Sequence, residues 1–179
     1  MTNRVVVVGS SGSGKTTVAR EIASRLGVPY LELDAVRHAE DWDSTPDPEF
    51  QRIICEFASQ DHWVVDGNYT SHGTREVVWP RADTIVWTDL PRNVVVRRVI
   101  GRTVKRVLTR EELWGGVREP FTNLYSLDPY QNIVVWAWTR FDHVRGKYET
   151  AMTDGSWDHA EVFRLRSSAD VRLFLESLG

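Results

Sequence analysis

Short apolar runs alternate along the chain with longer stretches in which apolar residues recur every three or four positions. Residues 5–8 are four consecutive valines, a pattern typical of a buried parallel strand. In the stretch that follows, Val18, Ile22 and Leu26 lie four apart and share one face of a helix. Further apolar runs predict strands at residues 29–34, 63–66, 84–87 and 162–165. Strands that alternate with helices predict a three-layer α/β/α fold around a five-stranded parallel sheet.

Start and stop signals place the helices between these strands. The first helix is predicted to end near Leu26, because Gly27 and Pro29 follow it. A capping box at residues 167–170 is expected to open the last helix. The remaining helices are predicted at residues 48–59, 74–79, 91–107 and 129–152.

The loop between the first strand and the first helix has the pattern G-x-x-x-x-G-K-[ST] at residues 9–16. Its glycines let the backbone turn N–H groups toward a polyphosphate, and the helix N-terminus adds partial positive charge. Lys15 is placed to reach the β- and γ-phosphates of ATP, and the Thr16 hydroxyl to hold Mg²⁺. The predicted nucleotide-binding residues of this P-loop are Gly9, Ser10, Ser11, Gly12, Ser13, Gly14, Lys15, Thr16 and Thr17.

Three predicted strands end in an aspartate: Asp34, Asp66 and Asp89. Ligands of open α/β sheets bind at the carboxyl ends of the strands, so each of the three is a candidate magnesium ligand. Asp66 is the first choice, because it ends an apolar strand and precedes a glycine. Asp34 is also placed to act as a general base toward a hydroxyl acceptor. For Asp89, just ahead of Pro91, the favoured interpretation is capping of the next helix.

Basic residues are concentrated after the fourth predicted strand. They are Arg97, Arg98, Arg102, Lys105, Arg106, Arg110 and Arg118. Arg98 and Arg102 lie four apart and share a helical face. Guanidinium groups match phosphate oxygens, and phosphoryl transfer requires positive charge around the migrating group, so we expect these two residues to be catalytic phosphate clamps. The charged, weakly periodic residues at about 104–120 are interpreted as a short mobile lid.

Polar and aromatic residues near the second and third strands are candidates for the site of the phosphoryl acceptor. They lie partly in a segment at about 35–60 and partly after residue 66. The acceptor-site candidates are Asp34, Arg37, Trp42, Asn68, Tyr69 and Arg75. Trp136, Trp138 and Phe141 are interpreted as core residues, and no cysteine–histidine spacing indicates zinc.

Composition narrows the class of protein. A net charge of −3 gives no general attraction to nucleic acid or to an anionic membrane. Cys55 is the only cysteine, so no disulfide can form within the chain, which suits a reducing compartment. A strand follows Met1 closely, and no apolar run approaches a membrane-spanning length. We expect a cytoplasmic protein that forms one domain over residues 1–179.

These motifs resemble the adenylate-kinase-like nucleoside monophosphate kinases of the P-loop fold, and are most similar to their small bacterial relatives called topology modulation proteins. The resemblance rests on the P-loop, on Asp66 and Gly67 after the third strand, and on an Arg-x-x-Gly-Arg stretch at residues 98–102. In the family the first of these arginines packs on adenine and the second contacts phosphates. The resemblance further implies that the loop that begins at Arg166 holds adenine, and that ATP is the phosphoryl donor.

The chain departs from this family where the acceptor would bind. The arginine that grips the monophosphate in the family is replaced by Asn68 and Tyr69, and Arg75 or Arg37 is the candidate substitute. Two acceptors therefore stay open. A nucleoside monophosphate or a similar anionic metabolite is the first choice, and a hydroxyl compound served by Asp34 is the second.

An ATP-dependent phosphotransferase is the favoured function. The alternative is an ATP-binding regulatory switch with weak hydrolysis, and it is disfavoured because Asp66 is followed by Gly67 and not by a second carboxylate that could activate water. Nucleic-acid binding through the basic stretch is disfavoured by the acidic isoelectric point and by the lack of interleaved aromatic residues.

Overall fold

A computed structural model describes residues 3–37, 47–68, 74–110, 128 and 132–178. Its centre is a five-stranded sheet in the order β2-β3-β1-β4-β5, with every pair of neighbours parallel. The strands are β1 (Arg4–Gly9), β2 (Tyr30–Glu32), β3 (Trp63–Asp66), β4 (Thr84–Thr88) and β5 (Glu161–Leu165). The predicted five-stranded parallel sheet is confirmed, and β1 lies in its middle.

Helices cover both faces of this sheet. They are α1 (Lys15–Leu26), α2 (Leu33–Arg37), α3 (Asp47–Ala58), α4 (Thr74–Val77), α5 (Arg92–Thr109), α6 (Ile133–Ala151) and α7 (Ser168–Glu176), with a 3₁₀ turn at Trp79–Arg81. The Ser167 capping box forms as predicted at the start of α7. None of the helices in the described residues is long and apolar enough to cross a membrane.

The valines of β1 divide the core into two layers. Val6 and Val8 belong to the cluster formed with α3, α4 and α6, whereas Val5 and Val7 belong to the cluster formed with α1 and α7. Because side chains alternate along a strand, one run of four valines fills both faces of the sheet. The α/β/α three-layer fold is therefore confirmed.

The second strand is shorter than predicted. It ends at Glu32, which pairs with Asp66, the last residue of β3. The partner strand then turns away at Gly67, whose φ is 146°, so the ladder cannot continue. The chain enters α2 instead, and Asp34 lies in the first turn of a helix and not at a strand end.

Other boundaries also differ. Pro80 does not end the helix after Thr74 but lies within the 3₁₀ turn, where a proline costs no hydrogen bond. Helix α5 continues to Thr109, so the first residues of the predicted lid at 104–120 are helical, while residues 111–120 lie outside the described residues. Trp138, predicted to be core, is 54% exposed, and the Arg92 guanidinium lies 5.3 Å from its ring centroid.

The close packing of the P-loop on α5 predicts a stability cost for Gly12→Ala. Gly12 has a φ of 84°, and an added Cβ would lie 2.4 Å from a Val99 methyl and 2.9 Å from the Val95 carbonyl oxygen. We expect urea unfolding to show a loss of about 3 kcal/mol.

The matched control is Gly146→Ala. Apart from the chain neighbours and the backbone of the helix itself, no atom of the described residues lies within 4 Å of a Cβ added at this helical position. Alanine there should stabilise the protein by about 0.5–1 kcal/mol. If Gly12→Ala and Gly146→Ala both changed the free energy of unfolding by the same small amount, the packing of the P-loop on α5 would be contradicted.

Candidate active site

The P-loop lies between the central strand β1 and helix α1. Gly12 and Gly14 have φ values of 84° and 93°, and α1 begins at Lys15 directly after them. The loop is fixed from below, because the Ser13 and Thr88 hydroxyls are 2.6 Å apart and the Thr88 hydroxyl donates to the Val8 carbonyl at 3.1 Å. Backbone N–H groups and a helix N-terminus together form an anion-binding cradle.

Lys15 links this cradle to the first turn of α2, the helix that follows β2. Its side chain is buried, and its Nζ lies 3.9 Å from the Asp34 Oδ2. The Asp34 side chain is 29% exposed, so a small molecule can reach its carboxylate. The ammonium of the P-loop lysine and a carboxylate therefore meet at the carboxyl edge of the sheet.

Asp66 is held by two hydroxyl groups. The Thr16 hydroxyl donates to its Oδ2 at 2.6 Å, and the Tyr30 hydroxyl donates to its Oδ1 at 3.0 Å. The carboxylate is 1% exposed, and this burial raises the pKa of Asp66 to about 6, with a further contribution from the nearby Glu32 carboxylate. Burial, together with the neighbouring charge of Asp66, raises the pKa of Tyr30.

The residues present fit a magnesium ion that arrives with a nucleotide. Thr16 and Asp66 place a hydroxyl and a carboxylate oxygen side by side at the start of α1. No group of three or more acidic, histidine or cysteine side chains that could hold a metal occurs among the described residues. Mg²⁺ commonly uses one or two carboxylates and takes its other ligands from phosphate and water, so a larger protein cluster is unnecessary.

Two arginines of α5 contact the P-loop. Arg98 donates from Nη1 to the Ser13 carbonyl at 3.2 Å and from Nη2 to the Ser168 hydroxyl at 3.4 Å. Arg102 donates from Nη2 to the Ser11 hydroxyl at 3.3 Å. The helix thus brings both predicted phosphate clamps to the loop, and it brings Arg98 to the first turn of α7.

The remaining nucleotide-binding candidates lie around this loop. Thr17 is exposed in the first turn of α1. Arg166 is exposed just before the capping box, where its backbone N–H donates to the Asp170 carboxylate at 2.8 Å. The contact between Arg98 and Ser168 places the start of α7 beside the P-loop.

The acceptor-site candidates are only partly brought together. Asn68 lies two residues beyond Asp66 and accepts a hydrogen bond from the Tyr148 hydroxyl at 2.7 Å. The Arg37 guanidinium lies 5.5 Å from the Phe50 ring centroid. Arg75 donates to Asp154 at 2.8 Å and to Ser156 at 2.6 Å, so it ties α4 to the turn after α6. Two further candidates, Trp42 and Tyr69, lie outside the described residues.

Asp89 does not cap α5, contrary to the sequence-based interpretation. The Oδ2 of its buried carboxylate accepts hydrogen bonds from the Arg164 Nη2 at 2.6 Å and Nε at 2.9 Å. Its Oδ1 lies 3.1 Å from the Arg145 Nε. The Arg164 guanidinium also lies 4.1 Å from the Trp87 ring centroid. The charge-assisted hydrogen bonds of a guanidinium are stronger than those from the uncharged N–H groups of a helix start, and Pro91 itself is the N-cap of α5. This ion pair joins β4 to β5 and α6.

Sequence reasoning missed three side chains of this edge. Glu32, buried beside Asp66 in the sheet register, is paired with Arg20 at 2.7 Å. Tyr30 and Tyr148 place their hydroxyls on Asp66 and Asn68. The sequence does contain a signal for Glu32, because it stands at an alternate position near the end of the predicted second strand. The local sequence around Tyr148 contains no such signal, since it is the same as that of an ordinary core aromatic residue.

Comparisons with known proteins agree with a P-loop kinase. Residues 5–65, about a third of the chain, match the family described as "ATPase family associated with various cellular activities (AAA)". Shikimate kinase from Mycobacterium avium is 33% identical in an alignment of 122 positions that covers 60% of this chain and 68% of that protein. Shikimate kinase from Rhodopseudomonas palustris is 27% identical over 137 residues, covering 69% of this chain and 67% of that one.

The chain belongs to the shikimate kinase family. The protein is therefore an enzyme, a P-loop small-molecule kinase that uses ATP. The resemblance to adenylate-kinase-like enzymes is confirmed as far as this shared class of P-loop kinase. The closer similarity to the topology modulation proteins stays a prediction.

Solved structures of the family share the fold. Shikimate kinase from Acinetobacter baumannii, solved in complex with shikimate, superposes with a TM-score of 0.56 at 16% identity and covers 99% of this chain and 91% of that one. The enzyme from Bacteroides thetaiotaomicron gives a TM-score of 0.51, also at 16% identity, and covers 99% and 96%.

The burial of Asp66 predicts a pH-dependent effect of Asp66→Asn on stability. Because the folded-state pKa of about 6 lies above the ordinary value of 3.8, the stabilising contribution of this group is full at low pH and is lost as the pH rises through 6. The Asp66→Asn variant has no carboxyl group at this position, so its stability does not fall in this way. The free energy of unfolding of the variant minus that of the parent, measured without nucleotide or magnesium, should therefore rise by about 1 kcal/mol between pH 5 and pH 8.

The matched control is Asp61→Asn, which removes a carboxylate that is 88% exposed. It reports the effect of removing one negative charge from the surface. An Asp66→Asn difference that changes no more with pH than the Asp61→Asn difference would contradict the burial of the Asp66 carboxylate.

Proposed function

We propose that the enzyme transfers the γ-phosphoryl group of ATP to a hydroxyl group of a small anionic acceptor, and that shikimate is the first acceptor to test. The observation that carries this proposal is the position of Asp34. Its carboxylate lies 3.9 Å from the ammonium of the P-loop lysine and remains open to solvent. A general base for an incoming hydroxyl is needed beside the group that holds the γ-phosphate.

Each residue of the site has a place in this reaction. The P-loop amides and Lys15 hold the β- and γ-phosphates, and Arg98 and Arg102 bring positive charge from α5. Asp34 accepts the proton of the acceptor hydroxyl as its oxygen attacks the γ-phosphorus and ADP leaves. Thr16 and Asp66 are the residues that would hold a magnesium ion, and such an ion would neutralise charge on the transferring phosphates.

The choice of a hydroxyl acceptor revises the order of the two acceptors that the sequence left open. A nucleoside monophosphate attacks through a phosphate oxygen that is already ionised, and it needs no base. In this structure the Asp34 carboxylate is in place to act as a base. Arg75, a candidate for binding a monophosphate, instead donates hydrogen bonds to Asp154 and Ser156. The names of the relatives support the same choice, since shikimate carries both hydroxyl groups and a carboxylate.

The first experiment is a test of acceptors. ADP release is measured with shikimate, with other hydroxylated carboxylates and with nucleoside monophosphates. We expect a hydroxylated carboxylate to accelerate ADP release by about tenfold or more over ATP alone, and ³¹P NMR to show a phosphomonoester product. Acceleration by monophosphates alone would assign the other acceptor class, and slow ATP loss that no acceptor changes would point to the regulatory switch.

The role of Asp34 is tested by Asp34→Asn. Losing the base should lower kcat with the hydroxyl acceptor by about 10²-fold or more, because proton transfer typically contributes that much. ATP affinity, measured by calorimetry, should change far less, because the P-loop is intact. A variant that turns over like the parent would show that Asp34 is not the base.

A further inference from the structure

Tyr148 is a core tyrosine whose hydroxyl reaches the active site. It lies on α6, is 1% exposed, and is surrounded by Trp79, Trp87 and Trp157, with ring centroids 5.2–6.4 Å apart within this group. A buried phenol in such apolar surroundings requires partners for its hydroxyl group. The hydrogen-bond partner of this hydroxyl, Asn68, lies at the carboxyl edge of the sheet.

The hydroxyl joins the core to the residue that follows β3. It donates to the Asn68 Oδ1 at 2.7 Å. Burial, with a smaller contribution from the negative charge of Asp34, raises the pKa of Tyr148, so the phenol keeps its proton and remains a hydrogen-bond donor. Its one side-chain partner among the described residues is therefore Asn68.

This contact determines which way the Asn68 amide faces. Because the Asn68 Oδ1 accepts the hydrogen bond from the Tyr148 hydroxyl, the Nδ2 group and its two N–H bonds must point away from Tyr148. If the amide were flipped, the Tyr148 hydroxyl would lose its acceptor inside an aromatic cluster, which is costly. Asn68 is half-buried and follows β3 at the same edge as Asp34, so its N–H groups are available to a molecule bound there.

We propose that Tyr148 is a positioning residue that holds the Asn68 amide with its N–H groups toward the phosphoryl acceptor, so that Asn68 selects an acceptor with an oxygen atom at that place. This inference rests on the proposed transfer to a small oxygen-rich acceptor. A site that donates two hydrogen bonds there favours a hydroxyl or carboxylate oxygen over an amine or an apolar group.

The test compares Tyr148→Phe with the parent. Phenylalanine keeps the ring in its tryptophan surroundings and removes only the hydroxyl. We expect the KM for the acceptor to rise about tenfold, while the KM for ATP and the kcat at saturating acceptor change less than about threefold. The control is Trp157→Phe, which disturbs the same cluster without a polar contact to the site and should lower stability but leave the acceptor KM unchanged.

A double variant separates positioning from a general loss of packing. If Tyr148 acts through Asn68, the double variant Tyr148→Phe/Asn68→Ala should have the same acceptor KM as Asn68→Ala alone. Multiplied effects, or a Tyr148→Phe variant with the parental acceptor KM, would overturn the inference.

A readout without turnover keeps this inference separate from the proposed function. The side-chain amide resonances of Asn68 are assigned in a ¹⁵N spectrum by their loss in Asn68→Ala. They should shift in Tyr148→Phe even in the absence of substrates, and should stay in place in Trp157→Phe. Unchanged resonances in Tyr148→Phe would refute the positioning role, whereas shifted resonances in a protein that phosphorylates no acceptor would refute only the function.

Discussion

Lys15 and Asp66 are charged side chains that are buried away from water. The other residues of the site are arranged around these two buried charges. Lys15 is 8% exposed and Asp66 is 1% exposed. Hydroxyls from Thr16 and Tyr30, and the positive charge of Lys15, compensate the Asp66 carboxylate only in part, since its pKa remains raised. The free protein therefore keeps an electrostatic cost at Asp66, which the cation of the proposed nucleotide complex would relieve. Under the proposed function, part of the stability of the free protein is given up in favour of binding.

Local patterns were enough to predict the framework and to show that the P-loop joins β1 to α1. The four valines of β1 and the glycines, lysine and threonine after them are contiguous in sequence, so periodicity and a spaced motif identify them together. The fourfold spacing of Arg98 and Arg102 likewise predicts one helical face, and that face does meet the P-loop.

Contacts between distant parts of the chain could not be predicted in this way. Arg164 is 75 residues from Asp89, and Tyr148 is 80 residues from Asn68. Neither pair leaves a local signal, because an aspartate before a helix is usually a cap and a tyrosine on an apolar helical face is usually core. The sequence predicts Asp34 at a strand end, because the apolar run of β2 does not show where its neighbour β3 ends. Only the sheet register reveals that β3 stops opposite Glu32.

The order of the strands divides the site into halves of unequal rigidity. β1 carries the P-loop and is hydrogen-bonded on both sides, so the ATP half opens only when the sheet itself comes apart. β2 carries Asp34 and α2 from the sheet edge, and only three of its residues pair with a neighbour. Its backbone amides should exchange with solvent through local opening at a fraction of the global free energy. Under the proposed function, the acceptor half is thus the half in which substitutions could change the molecule that is phosphorylated while binding of ATP is kept.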